Sequence, residues 1–111
     1  MRKLIRFRTY NYSGKDFSYS GAGGDLQQFI GIYDKNMKPI YERDVIKGIY
    51  GLEGIEIMGE VQYSYDLCAY VVDWHHLFSN IELDSLEVVG NMIEDYMYNE
   101  KGELVKKLAL S

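Results

Sequence analysis

Asp73-Trp74-His75-His76 is the one run in this sequence whose side chains have the chemistry to hold a metal ion or pass a proton. On a strand, Asp73 and His75 project from one face and Cys68 from the other, so those three do not converge on an ion. Zinc sites normally show paired ligand spacings, and the chain lacks them. The histidines therefore read as residues at a strand end. Cys68, between Leu67 and Ala69, reads as a small buried apolar residue rather than a nucleophile. No metal and no cofactor is expected.

Glu42 and Asp44 form a second carboxylate pair on one strand face. Acids at the start of a strand also accept backbone N–H bonds and fix a corner, and that structural role is the one expected of them. Gly21-Ala22-Gly23-Gly24 offers glycine amides, but a phosphate loop needs a following helix and a Lys-Ser/Thr pair, whereas Asp25-Leu26-Gln27 and a strand follow. Arg6, Phe7, Arg8, Tyr10 and Tyr12 mix cations with rings that stack on bases. The acidic middle of the chain opposes a nucleic-acid backbone, so nucleic acid is not the expected partner.

Strands must carry these groups. Residues 26–47 read as strand, tight turn and strand: Gln28, Ile30 and Ile32 alternate with Gln27, Phe29, Gly31 and Tyr33. Asp34-Lys35-Asn36-Met37 supplies the turn, and Pro39 ends it by fixing its own φ. Residues 3–10 predict an opening strand, with Phe17 and Tyr19 on a short returning one and a loose glycine loop at 21–24. Glycines 48, 51 and 54 suit a corner. Ile55, Ile57, Gly59, Val61 and Tyr63 alternate with Glu56, Met58, Glu60 and Gln62 as an amphipathic strand. Residues 67–75 are apolar on both faces and predict the central, doubly buried strand. Loop follows at 76–81, with Leu77 and Phe78 turned inward, then a strand within 83–93. The tail from 103 either docks on its own domain or exchanges with another subunit.

With 111 residues and 47% hydrophobic content, the chain has room for one domain and one core. A single cysteine excludes an internal disulfide and fits a reducing compartment. The start carries no apolar run of signal-peptide length and nothing reaches membrane-span length, so a cytoplasmic protein is expected. The net charge of −5 hides a division. Residues 1–15 hold Arg2, Lys3, Arg6, Arg8 and Lys15 without an acid. Residues 48–100 hold Glu53, Glu56, Glu60, Asp66, Asp73, Glu82, Asp84, Glu87, Glu94, Asp95 and Glu100 without a Lys or Arg. Either the basic ends fold back beside the acids, or one face keeps a negative field that draws basic partners.

Phe29-Ile30-Gly31-Ile32-Tyr33-Asp34-Lys35-Asn36 followed by Ile40-Tyr41-Glu42-Arg43-Asp44-Val45-Ile46 resembles the signature of the YopX-type proteins of bacteriophages and prophages. The basic start from Met1 to Arg8 is similar to that family's opening strand. Leu86-Glu87-Val88-Val89-Gly90-Asn91-Met92-Ile93-Glu94 is similar to its closing block. Gly31, Asp34, Asn36, Tyr41, Glu42, Asp44, Gly90 and Asn91 carry the signature. Met37 and Arg43 stand where the family has turn glycines, and Glu94-Asp95-Tyr96 replaces its usual ending. The resemblance implies a small, largely β protein of unassigned biochemistry and supplies no catalytic residue.

The fold expected is all-β and mainly antiparallel, a small curled sheet or SH3-like barrel with five to seven strands and little helix. It forms one domain over 1–111, with 95–111 a C-terminal arm. The function expected is a non-enzymatic accessory protein that binds a host or phage protein. A first alternative is an inhibitor whose acidic surface (Glu53, Glu56, Glu60, Glu82, Asp84, Glu87, Glu94) occupies the site of a basic nucleic-acid-binding protein, as a DNA mimic. A second is a binder that sequesters a small ligand or nucleotide. A homo-oligomer is compatible with all three.

Overall fold

The computed structural model describes residues 7–12, 14–19 and 25–107. The opening basic residues 1–6, the glycine loop at 21–24 and residues 108–111 lie outside that set. The described chain forms β1 (Phe7–Asn11), β2 (Asp16–Ser18), β3 (Asp25–Tyr33), β4 (Pro39–Tyr41), β5 (Asp44–Tyr50), β6 (Ile55–Ser64), β7 (Ala69–Val72), β8 (His76–Leu77), β9 (Glu87–Asn91), β10 (Tyr96–Tyr98) and β11 (Leu104–Lys106). Single 3-10 turns at Phe78–Asn80 and Leu83–Ser85 separate β8 from β9. Every strand pairing is antiparallel. The strands form a four-stranded sheet in the order β2-β1-β3-β4, a five-stranded sheet β8-β7-β6-β5-β9 and the two-stranded ribbon β10-β11. The curled-sheet form of the expected fold is the one adopted, and three-residue strands such as β2, β4, β10 and β11 raise the count above the expected range.

The β3–β4 turn shows how a local motif becomes a tertiary joint. Asp34 Oδ1 accepts the amides of Asn36 and Lys38, both at 2.8 Å, closing the turn on itself. Its Oδ2 accepts the amide of Val88 at 2.9 Å, and the Lys35 amide donates to the Leu86 carbonyl at 2.8 Å. The turn of the four-stranded sheet is thus bolted to β9 of the five-stranded one. Burial opposes ionisation of Asp34, but the amides of Val88, Lys38 and Asn36 and the Lys38 charge outweigh it and hold the carboxyl below its ordinary value. Met37 and Arg43, the two turn positions without the family's glycine, keep left-handed backbones with φ of 63° and 73°.

A second joint ties β1 to β5. Arg8 Nη2 donates to Asp44 Oδ1 at 2.6 Å and Arg8 Nε to Gln27 Oε1 at 2.8 Å, with all three side chains buried. The guanidinium lies 4.1 Å from the Phe17 ring centroid and 4.5 Å from that of Tyr41, so its faces are covered while its edge is hydrogen-bonded. Asp44 Oδ2 accepts the Tyr41 amide at 2.9 Å, and Glu42 Oε1 accepts the Gln28 amide at 2.7 Å. Both acids of the signature therefore fix backbone, as their position at a strand start predicts. Burial raises the Asp44 carboxyl above its ordinary value, against the pull of Arg8 and the Tyr41 amide.

The apolar core has two parts. Ile40, Ile46, Val61, Val72, Ile81 and Leu86 form one, and Val45, Met92 and Tyr96 the other. Adjacent β5 residues Val45 and Ile46 feed different parts, so β5 is covered on both faces. Fully burying side chains of this kind contributes about 1.5–3 kcal/mol each.

Several expectations change here. The doubly buried strand is β5 rather than 67–75, of which only Ala69–Val72 is strand. β6 loses strict alternation, because Gly59, Glu60 and Val61 are consecutively buried while Ile55 is exposed. Cys68 is exposed: it occupies the β6–β7 turn at φ 51°, its thiol directed to the Tyr65 carbonyl. Arg8 faces inward because Asp44 and Gln27 meet its charge there. The tail docks at home: the β10–β11 ribbon packs Tyr96, Tyr98 and Leu104 against Val45 and Met92.

Candidate functional site

β6, the β6–β7 turn and the β7–β8 turn combine with the start of β3 to line an open groove. Its walls include Leu26, Tyr63, Tyr65 and Trp74, and its polar rim includes Asp25, Glu42 and Arg43. Trp74 is 64% exposed, Tyr65 86% and Leu26 57%, although each has apolar area to bury. Tyr63 lies edge-on to Tyr65 at 5.1 Å and to Tyr70, its cross-strand partner, at 5.2 Å, which holds this aromatic wall in place. The groove encloses about 280 Å³. That falls at the lower edge of small-molecule pockets, which run to roughly 300–1,000 Å³ and bury most of their ligand.

Glu60 forms the floor and is 3% exposed. Its Oε1 accepts the Tyr98 hydroxyl at 2.8 Å and Gln62 Nε2 at 3.0 Å, and its Oε2 faces Arg43 Nε at 3.7 Å. Burial, then the hydrogen bond to Glu60 and that carboxylate's charge, hold the Tyr98 hydroxyl far above the usual tyrosine range. Both oxygens of Glu60 are thereby engaged in holding β6, β10 and Arg43 together.

The turn that presents Trp74 is tight. The His75 amide reaches back to the Val72 carbonyl at 3.4 Å, and Asp73 and Trp74 both have positive φ, 53° and 70°. Positive φ at both central positions is what type I′ turns share, where glycine or asparagine is usual, and here it lies within a three-residue connection between the paired Val72 and His76. Gly59 makes room for it, since a Cβ at position 59 would stand 2.6 Å from Asp73 Cβ and 3.0 Å from its amide nitrogen. The turn brings Asp73, His75 and His76 together, with one donor atom of each within 4.8 Å of the others. The His75 and His76 rings lie 4.0 Å apart, and His76 meets Tyr50 edge-on at 4.5 Å. Burial and then the neighbouring His75 lower the His76 pKa from its ordinary value, with Asp73 opposing.

The acids predicted as a surface are dispersed. Glu53, Glu56, Glu82 and Asp84 are exposed around the β5–β6 turn, where the Glu82 amide donates to Ile49 and Glu56 pairs with Ile49 across the sheet. Glu60 is buried and leaves the group, because the Tyr98 hydroxyl and Arg43 take its charge inside. Glu87 bridges Lys35 at 3.2 Å and Lys47 at 3.4 Å. The Lys35 hydrogen bond leads in holding its carboxyl below the usual range, with Lys47 adding to it against burial. Glu94 accepts the Asn91 side-chain amide at 3.2 Å. Of the signature residues, Gly90 leaves room for Asp95 and Tyr96, Asn91 caps the next turn through the amides of Ile93 and Glu94, and Tyr41 is buried. Gly31 sits at φ 97° where the β3–β4 register shifts. The groove aromatics were missed in the sequence. The only signal for them was the number of tyrosines beside turn residues.

Fold and groove together define a small all-β antiparallel protein with an aromatic surface cleft. The YopX protein family model matches residues 2–96, and the chain belongs to that family. No curated protein matches it. Among the described residues no helix is long and apolar enough to cross a membrane.

Proposed function

We propose that this protein is a non-enzymatic accessory protein, of phage or prophage origin, that acts by binding another protein through the Trp74–Tyr65 groove. The observation that carries this reading is the exposure of Trp74, Tyr65 and Leu26 along one cleft whose only buried carboxylate, Glu60, already has both oxygens engaged. Trp, Tyr and Arg are the residues that dominate protein interfaces, and aromatic anchors in a cleft are their usual arrangement. The rim acids Asp25 and Glu42 suit a partner segment that brings an apolar side chain flanked by a Lys or Arg. Affinity capture from host cells with wild type and with the Trp74→Ala, Tyr65→Ala double variant tests this. The reading expects a protein retained by wild type and lost by the variant, with both melting alike. Equal retention by both, or no retained protein, would count against it.

A second reading is favoured by the exposed quartet Glu53, Glu56, Glu82 and Asp84 at one end of the five-stranded sheet. On it, this end occupies the basic channel of a nucleic-acid-processing or defence protein. Association would then weaken steeply with salt and be abolished by Glu56→Lys with Glu82→Lys, leaving the groove variant unaffected.

A further inference from the structure

We propose that Asp73, His75 and His76 form a binding site for one divalent transition-metal ion of the zinc class. The donor set is two imidazoles and a carboxylate, a combination that suits zinc, cobalt or nickel and not calcium or magnesium, which take oxygen ligands. One donor atom from each residue lies within 4.8 Å of the other two. Ligands about 2.0–2.1 Å from a tetrahedral ion lie roughly 3.3 Å apart, so closure needs movements of at most about 1.5 Å, within reach of side-chain rotation. Three protein ligands leave a coordination position open to water or to a partner's side chain.

Two independent features point the same way. His76 Nδ1 is buried and has no hydrogen-bond partner among the described residues, although a buried imidazole nitrogen is normally satisfied. A buried nitrogen left unpartnered on a ring that also belongs to this three-residue cluster is what an imidazole ligand presents. The backbone is also shaped to bring these donors together. Non-glycine residues at positive φ in both turn positions are costly, and such strain persists where the surroundings over-determine it. Here the Asp73 amide is held by the Glu60 carbonyl at 3.1 Å, and Gly59 removes the Cβ that would push the turn away. A strand continued through this run would send adjacent His75 and His76 to opposite faces. The turn instead brings their rings within 4.0 Å of each other, tilted by 44°. The site stands whether or not the groove takes a partner, though an ion there would also fix the turn that carries Trp74.

Titration of the full chain, free of any histidine tag, with zinc by calorimetry and with cobalt by visible absorption tests the site. The expected result is one ion per chain, a raised melting temperature and cobalt bands of a nitrogen- and oxygen-ligated site. Magnesium and calcium should give no response. His75→Ala, at an exposed position, and Asp73→Asn, which keeps a residue tolerant of positive φ, should each weaken zinc binding tenfold or more and leave the metal-free melting temperature close to wild type. No zinc binding by wild type, or binding unchanged in both variants, would overturn the proposal.

Discussion

Asp34→Asn isolates the joint between the two large sheets. In the wild type, one carboxylate oxygen serves the Asn36 and Lys38 amides and the other serves the Val88 amide, 54 residues away. An asparagine has one oxygen to offer. If it keeps the local turn, its NH2 faces the Val88 N–H and two donors confront each other. An orphaned, partly buried donor costs about 1–3 kcal/mol, and loss of the charge from the remaining bonds adds about 1 kcal/mol, so the expected destabilisation is roughly 2–4 kcal/mol at pH 7. The effect has a definite pH sign. The folded carboxyl lies below its ordinary value, whereas in the unfolded chain it titrates near about 3.9. Its contribution is thus fully present above the unfolded value and is lost as pH falls through the folded one. Urea unfolding of both proteins from pH 7 down to pH 3 should show the gap narrowing at the acid end. A gap below about 0.5 kcal/mol at pH 7, the range of an inconsequential surface change, would refute the reasoning. So would a gap that stays constant with pH.

Two further substitutions probe the backbone and the buried pair. Met37 is exposed and left-handed, so Met37→Gly relieves about 1–2 kcal/mol of strain against about 0.4–1 kcal/mol of added unfolded-state entropy, and thermal unfolding should show a net gain of up to about 1.6 kcal/mol. Arg8→Ala removes the partner of Asp44 and the packing on Phe17 and Tyr41, and should cost about 3–5 kcal/mol by denaturant unfolding, the usual effect of breaking a buried pair.

The hairpin at residues 26–47 was legible because Asp34, Asn36 and Pro39 carry their turn chemistry with them, and the all-β class followed from alternation and glycine spacing. Asp44 was legible as a corner acid, since the Tyr41 amide that it accepts lies three residues before it, whereas Glu42 accepts the Gln28 amide of β3, 14 residues away. What the sequence did not disclose depends on distant neighbours. Glu60 reads as a solvent-facing residue until Tyr98, 38 residues later, supplies a hydroxyl to it. β5 is covered on both faces only because the β10–β11 ribbon returns over Val45. Asp73 and Cys68 looked like strand residues because they sit in the apolar run from Leu67 to Trp74, which outweighed the tolerance of Asp73 for positive φ, and without that turn the two histidines could not be seen to converge. The groove was illegible for a similar reason: Leu26 comes from β3, Tyr65 from the β6–β7 turn and Trp74 from the β7–β8 turn.

The proposed binding role rests on Trp74 as the anchor for a protein partner. Truncating a central aromatic anchor typically costs 2 kcal/mol or more, which is roughly a 30-fold loss of affinity. The direct measurement is the dissociation constant of the captured partner for wild type and for Trp74→Ala by calorimetry. Trp74→Ala should weaken binding by about 30-fold or more with the melting temperature held. Equal affinity for the two proteins, with binding lost only when Glu56 and Glu82 are reversed to lysine, would contradict it.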